Sequence, residues 1–368
     1  DALLKEWKLY LSLFGETPVI REMHLGGGTP TFFSPQNLKY LIDSLFESAE
    51  RHPNAAFSFE AHPKNTSFKH LETLFNLGFT RLSLGIQDFD PEVQRIVNRV
   101  QPFEMVEKVV NNAREIGYDS INFDLIYGLP LQTSKSVRMT IRLVNKLRPE
   151  RIAFYSYAHV PWVKPGQRMF TKLDLPADEE KRNLYEIGKM MFEEAGYVEV
   201  GMDHFALPQD ELYKAMVRGE LHRNFMGYTA SYTTLMVGLG ASSISDSWTC
   251  FIQNEKKVED YILGVEQEKL PFYRGHLLSE EDLLVRQHIL ELMCQFQTDV
   301  SDIKYWFDEF EDIGVQLAEF EKDGLIIMHD SHISVTERGR AFVRNICMVL
   351  DAHLLRSKSK TLIFSQTV

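Results

Sequence analysis

Five segments in the first half of the chain read as strands, and each ends in residues suited to holding a small molecule. Arg21–Leu25 runs into Gly26-Gly27-Gly28-Thr29-Pro30. Glu60 closes the second in Ser58-Phe59-Glu60-Ala61-His62-Pro63, and Gln87 the third in Gly85-Ile86-Gln87-Asp88-Phe89. Asp124 closes the fourth in Asn122-Phe123-Asp124-Leu125-Ile126-Tyr127-Gly128-Leu129-Pro130, and Tyr157-Ala158-His159 the fifth. Adjacent glycines let a ligand approach the backbone and use its peptide groups, although a tight turn needing positive φ explains them equally well. Any one of the polar residues could be a solvated strand end. Five consecutive strands delivering such residues to one rim argue for an assembled site, because barrel enzymes build theirs at strand C-termini.

The elements that must position these residues alternate. Asp1–Phe14 carries Leu4, Trp7, Leu11 and Phe14 on one helical face. Pro35–Glu50 carries Leu38, Leu41 and Leu45, with Ser34 as N-cap. Strands are expected at Ala56–Ala61, Arg81–Ile86, Ser120–Ile126 and Arg151–Tyr157, each preceded by a periodic helix. Leu77-Gly78-Phe79, Ile116-Gly117-Tyr118 and Ala195-Gly196-Tyr197 each close a helix with glycine and place an aromatic before a strand. Their spacing implies strand–helix units of about 40 residues, hence parallel strands joined by right-handed crossovers. The fold expected is α/β, a partial (β/α) barrel of the TIM type over residues 1–246.

After Asp246 the pattern turns helical, giving a second, mainly helical domain over 247–368. Glu280–Cys294 reads as a helix. Leu317–Asp323 leads into a hairpin of Leu325–Met328 and Ile333–Val335 turning at His329–His332, and a helix over Glu337–Leu350 follows. This order is winged-helix-like. A hairpin tip of His-Asp-Ser-His is not basic, so a packing domain or substrate lid is the expected role rather than DNA binding.

Composition narrows the class. The 368 residues are 44% hydrophobic and 25% charged, as in an ordinary globular protein. No run reaches the roughly 18 apolar residues of a membrane helix, and no signal peptide is visible, so a cytoplasmic monomer is expected. A net charge of −12 argues against a nucleic-acid surface but not against an anionic small molecule. Cys250, Cys294 and Cys347 match no metal or redox spacing and read as buried reduced thiols.

The series GGGTP, SFEAHP, RLSLGIQDF, VNR and NFDLIYGLP resembles the coproporphyrinogen-oxidase branch of the radical S-adenosylmethionine (SAM) enzymes. Gly201–Ala206 (GMDHFA), Leu221–Thr229 (LHRNFMGYT) and Arg344–Met348 (RNICM) are similar to stretches of the oxygen-independent coproporphyrinogen III oxidases. Haem-chaperone relatives share the barrel motifs without the MDHFA and HRNFxGYT stretches. The resemblance covers essentially the whole chain. It implies an oxidoreductase that converts two propionates of coproporphyrinogen III to vinyls in haem biosynthesis, served by an electron donor and an electron acceptor. In that family a reduced [4Fe–4S] cluster cleaves SAM to a 5′-deoxyadenosyl radical, which takes a hydrogen from the propionate β-carbon. Gly27 and Glu60 would then contact the cluster-bound SAM, with Ala158 and Ile244 lining its adenine. Gly28, Thr29, Gln87, Arg99 and Asp124 would hold a second SAM, Arg99 clamping a carboxylate bidentately. Phe225 would lie near the active site, and His222 or Arg223 could meet substrate propionates. A haem-binding protein or a methyltransferase on the same barrel is the alternative.

Three departures accompany the resemblance. The family's cluster cysteines, spaced CxxxCxxC upstream of the GGG motif, have no counterpart between Asp1 and Val368. The barrel is therefore expected to lack its first strand and cluster loop and, as it stands, to be inactive. Met226 stands where the family has Gln, and Ala230 where Thr is usual.

Overall fold

The computed structural model describes residues 1–162, 164–303 and 310–356. Its largest sheet holds β1 (Val19–Leu25), β2 (Glu50–Ala61), β3 (Phe79–Gln87), β4 (Ser120–Tyr127), β5 (Arg151–Ser156), β6 (Val198–Glu199) and β7 (His204–Ala206). The order across the sheet is β1-β2-β3-β4-β5-β7-β6. The pairs β2–β3, β3–β4 and β4–β5 are parallel, and the first five strands keep their order in the chain. A doubly wound sheet would reverse direction at a switch point; this one proceeds without reversal, as a barrel wall does.

Period-two alternation explains which residues face where. Phe57, Phe59, Phe79, Leu82, Leu84, Ile86, Ile121, Phe123 and Leu125 are all at most 1% exposed. Helices Phe68–Asn76, Phe103–Ile116 and Ser134–Leu147 intervene between the strands and bury their apolar stripes, among them Leu71, Leu74, Val106, Val110, Val137, Ile141 and Val144. Gly117 ends its helix at φ 110°, the left-handed cap expected there.

The chain forms two compact units. One comprises Glu22–Leu38 and Ala56–Val217; the other comprises Asp1–Arg21, Lys39–Ala55 and the described residues from Arg218 on.

One expectation needs correction. The strand expected after Gly196-Tyr197 does not add a further parallel strand. β6 is two residues long, and β7 pairs antiparallel with both β5 and β6. The chain reverses at once here: Val200 N–H donates to the His204 carbonyl at 2.7 Å, with Gly201 and Asp203 at positive φ. No crossover helix fits in so short a link.

The region after Asp246 is mainly helical and holds strands as well. β10 (Ile244–Asp246), β11 (Cys250–Asn254) and β12 (Phe272–Leu277) form an antiparallel sheet, preceded by the hairpin of β8 (His222–Asn224) and β9 (Gly227–Thr229). The position 246/247 falls between two strands of that sheet. These strands carry too few alternating residues to show period two in sequence.

The winged pattern itself is present. β13 (Gln297–Asp299), β14 (Ile326–His329) and β15 (His332–Val335) form a sheet, flanked by helices Phe310–Lys322 and Val343–Val349. The helix expected from Glu337 starts only at Val343, and Gly339 packs so closely on Leu325 that a Cβ there would lie 1.9 Å from the Leu325 carbonyl oxygen. The chain first passes through a single 3₁₀ turn, Arg340–Phe342.

Candidate active site

The alternation that buries the apolar residues puts Ser58, Glu60, Ser83, Gly85, Asn122 and Asp124 on the opposite face. The parallel register sets Glu60 beside Ser83, Ser83 beside Asn122, and Gly85 beside Asp124. These polar groups hold one another. Asp124 Oδ1 accepts from Asn122 Nδ2 at 2.8 Å, and Oδ2 accepts from Ser83 Oγ at 3.2 Å. Burial raises the Asp124 pKa; the two hydrogen bonds and Arg99 oppose this, while Glu60 adds to it. Glu60 has a side chain 46% exposed, 3.5 Å from His24 Nε2, and so keeps acceptor capacity for a ligand. Asp124 does not end its strand, which continues to Tyr127.

Gln87 and Arg99 come together around Gly85. A bulge separates Gly85 from Gln87, and Gln87 sits at φ 66°, in the left-handed region costly for a residue with a Cβ. Arg99 Nη2 donates to the Gly85 carbonyl at 2.8 Å. Arg99 Nε is buried without an acceptor. Burial lowers the Arg99 pKa and nearby Asp124 raises it. A Cβ at Gly85 would lie 2.7 Å from Arg99 Nη2 and 2.9 Å from Gln87 Nε2, so only glycine leaves room for both side chains.

A second set of residues, missed in the sequence, fixes this corner. Gln101 Nε2 donates to the Gly85 carbonyl at 3.0 Å, and Gln94 Nε2 bridges the carbonyls of Asp88 and Gln101. Buried Asp88 accepts from Thr140 Oγ1 at 2.7 Å and Gln132 Nε2 at 2.6 Å. His24 was also missed; its Nδ1 is 2.9 Å from Ser58 Oγ. Its one sequence signal was its place two residues before Gly26 in a strand.

At the end of β1, Gly27 and Gly28 have φ of 69° and 62°, and a Cβ at either would meet nothing within 4 Å. The backbone there is open to a ligand. Thr29 caps the short 3₁₀ helix Pro30–Phe32. Ala158 lies just past β5, where its carbonyl accepts from Gln167 Nε2 at 3.0 Å and Gln167 Oε1 accepts from Val160 N–H.

Ile244, His222, Arg223 and Phe225 belong to the other unit. Ile244 opens β10 opposite Gln253, and its backbone packs so closely on Gly238 that a Cβ there would lie 2.5 Å from the Ile244 carbonyl oxygen. Fully buried Glu6 holds this loop, accepting from Gly240 N–H at 2.8 Å, Tyr261 Oη at 2.6 Å and Asn254 Nδ2 at 2.6 Å. Nothing in the sequence singled out Glu6. His222 and Tyr232 meet edge-to-face at 4.8 Å between centroids and line a cavity of about 250 Å³ with Trp248, Glu220, Glu291 and Cys294. Arg223 lies over the Tyr228 ring at 4.7 Å, and its buried Nη1 has no acceptor. Phe225, at the hairpin tip, is 53% exposed and packs edge-to-face on Phe251.

These residues fit SAM, a ligand with one carboxylate and one ammonium. The orphaned Arg99 Nε is a donor awaiting an acceptor, Asp124 and Glu60 can meet cationic groups, and the Gly27-Gly28 backbone stands clear. The cysteines do not fit an iron–sulfur cluster. Cys250 lies on β11, and the buried Cys294 and Cys347 thiols are pushed up to about 12 by burial.

The Radical SAM superfamily pattern matches residues 4–144, the stretch that holds the sequentially ordered strands β1–β4 and the glycine-opened first turn, and so places the chain among radical SAM proteins. The HemN C-terminal domain pattern matches residues 278–342. The oxygen-independent coproporphyrinogen III oxidase of Escherichia coli K12 is 39% identical, aligned over 100% of this chain and 81% of its own length. That of Helicobacter pylori J99 is 40% identical over 96% and 78%. The solved structure of the E. coli enzyme, described as a radical SAM enzyme, superposes with a TM-score of 0.90 over 96% of this chain and 82% of that one. The chain belongs to the oxygen-independent coproporphyrinogen III oxidase family.

Proposed function

We propose that this protein oxidatively decarboxylates coproporphyrinogen III to protoporphyrinogen IX. Each of two propionates loses one β-hydrogen atom, carbon dioxide and one electron to become a vinyl. SAM, when bound with the family's [4Fe–4S] cluster, supplies the hydrogen-abstracting chemistry. This chain's residues bind and orient. Gly27 and Glu60 would hold one SAM, and Ala158 and Ile244 would bound its adenine. Gly28, Thr29, Gln87, Arg99 and Asp124 would hold a second SAM, whose carboxylate would satisfy the orphaned Arg99 nitrogen. His222 and Arg223 address the substrate propionates, and Phe225 contributes an apolar surface beside them. The protein works as a cytoplasmic monomer with separate electron donor and acceptor, its barrel reaching residue 246 and its C-terminal domain following. Among the described residues no helix is long and apolar enough to cross a membrane.

The observation that carries this reading is the Glu60–Asp124–Arg99 rim on a chain that aligns over 100% of its length with 81% of a coproporphyrinogen III oxidase. The test uses the full-length protein, reconstituted anaerobically with iron and sulfide, then incubated with SAM, a reductant and coproporphyrinogen III. Stepwise loss of two carboxyl groups with formation of 5′-deoxyadenosine supports it. S-adenosylhomocysteine as product would indicate a methyltransferase. Haem binding without SAM consumption would indicate a haem carrier, and either result sinks the proposal.

A further inference from the structure

Away from the rim, three metal-ligating side chains converge in the unit that holds the C-terminal domain. His276 is near the end of β12, Asp282 is in the first turn of helix Glu280–Gln295, and His353 is in the five-residue helix Ala352–Arg356. Their donor atoms all lie within 4.8 Å of one another. His276 Nε2 is 3.2 Å from Asp282 Oδ2, and His353 Nε2 is 2.7 Å from Asp282 Oδ1. Both imidazoles therefore present the same ring nitrogen to one carboxylate. That carboxylate is itself anchored, since Oδ2 accepts from Ser279 N–H and Ser279 Oγ, each at 2.9 Å.

We propose that His276, Asp282 and His353 form a divalent-cation site that binds zinc. Two imidazoles and one carboxylate, with water in the fourth position, make a borderline-soft donor set that suits Zn²⁺. Ca²⁺ and Mg²⁺ instead require mostly oxygen ligands. Bonds of about 2.0–2.2 Å would replace the present N–H···O contacts. The shift of about 1 Å that this needs falls on two imidazoles whose side chains are 53% and 66% exposed. Each Nε2 would give up its proton to bind the metal, with the proton held at Nδ1 of the neutral ring.

The site has a structural consequence. A helix of five residues does not sustain itself in water. Its far end is already fixed by a bidentate ion pair, Arg356 to Glu281 at 2.7 and 2.6 Å. A metal bound through His353 would fix the near end and staple the last described helix to the start of Glu280–Gln295.

The test is equilibrium dialysis of the protein against Zn²⁺, repeated for His276→Gln, His353→Gln and the double variant. All change exposed side chains and leave the core intact. One Zn²⁺ per chain is expected, with affinity falling more than about tenfold in each single variant, at least the loss typical of removing an outer-shell partner. Co²⁺ in place of Zn²⁺ should give visible d–d absorption without a thiolate-to-metal charge-transfer band. Zn²⁺ should also slow amide exchange over residues 352–356. No binding, unchanged binding in the double variant, or a thiolate band marking cysteine ligation would each overturn the proposal.

Discussion

Arg99 donates one guanidinium nitrogen to the Gly85 carbonyl at 2.8 Å while its buried Nε meets no acceptor. A guanidinium half bound to the protein is held in place for a ligand, and its unused donor costs about 1–3 kcal/mol until it finds one. Arg99→Lys keeps the charge but cannot reproduce the fork. SAM affinity of the reconstituted full-length protein, measured by equilibrium dialysis, should fall about tenfold or more. An unchanged affinity would remove Arg99 from the site.

Two glycines should respond to alanine in opposite ways. At Gly85 the new methyl meets only the tips of Arg99 and Gln87, which can swing away. Gly85→Ala should lower stability by less than about 1 kcal/mol while SAM binding falls as far as in Arg99→Lys. At Gly339 the obstacle is the Leu325 backbone oxygen, 1.9 Å from where the methyl would stand. Gly339→Ala should cost about 3 kcal/mol, read as a drop in the denaturant midpoint, and leave the rim unchanged.

Asp124 should make stability depend on pH in a definite direction. Burial raises its pKa above the ordinary 3.8, so folding favours the protonated form. Its contribution is present below that ordinary value and is lost as pH rises through the folded one. Asn at this position keeps the geometry, accepting from Asn122 and donating to Ser83. Asp124→Asn should therefore match the parent near pH 3.8 and gain in melting temperature relative to it as pH rises to 7, while binding SAM less well. A stability difference that shrinks toward neutral pH would contradict this.

Among the described residues Glu6 forms no ion pair, and its carboxylate accepts from three donors, on Gly240, Tyr261 and Asn254. Glu6→Ala strands the Gly240 N–H and the Tyr261 hydroxyl, while Asn254 Nδ2 keeps the Gly240 carbonyl and Ser243 Oγ. The expected loss is about 3 kcal/mol by chemical denaturation, with faster amide exchange concentrated in the loop leading to Ile244. Uniformly faster exchange throughout that unit would instead mean a general loss of stability.

Much of the site was legible because its residues are local. Each of Gly27, Glu60, Gln87, Asp124 and Ala158 stands in or just past a strand whose apolar alternation is visible in sequence, so its place on the rim followed from strand order. What could not be seen are groups that reach the site from elsewhere. Gln94 and Gln101 act on Gly85 across a turn, Asp88 is held from a helix some fifty positions on, and Glu6 meets partners more than two hundred positions away.

By itself the sequence determined the repeating strand–helix units, the face of each main strand and the glycine-opened turn after the first, because these follow from the period of apolar residues and from backbone sterics. Only the tertiary structure decided that the sheet ends in antiparallel β7 and β6, that β10–β12 form a sheet, and that Gln87 is strained beside a half-satisfied Arg99. Short strands carry too little pattern to be seen alone. A hydrogen bond left unmade is a property of what surrounds the atom, which exists only once distant segments have packed.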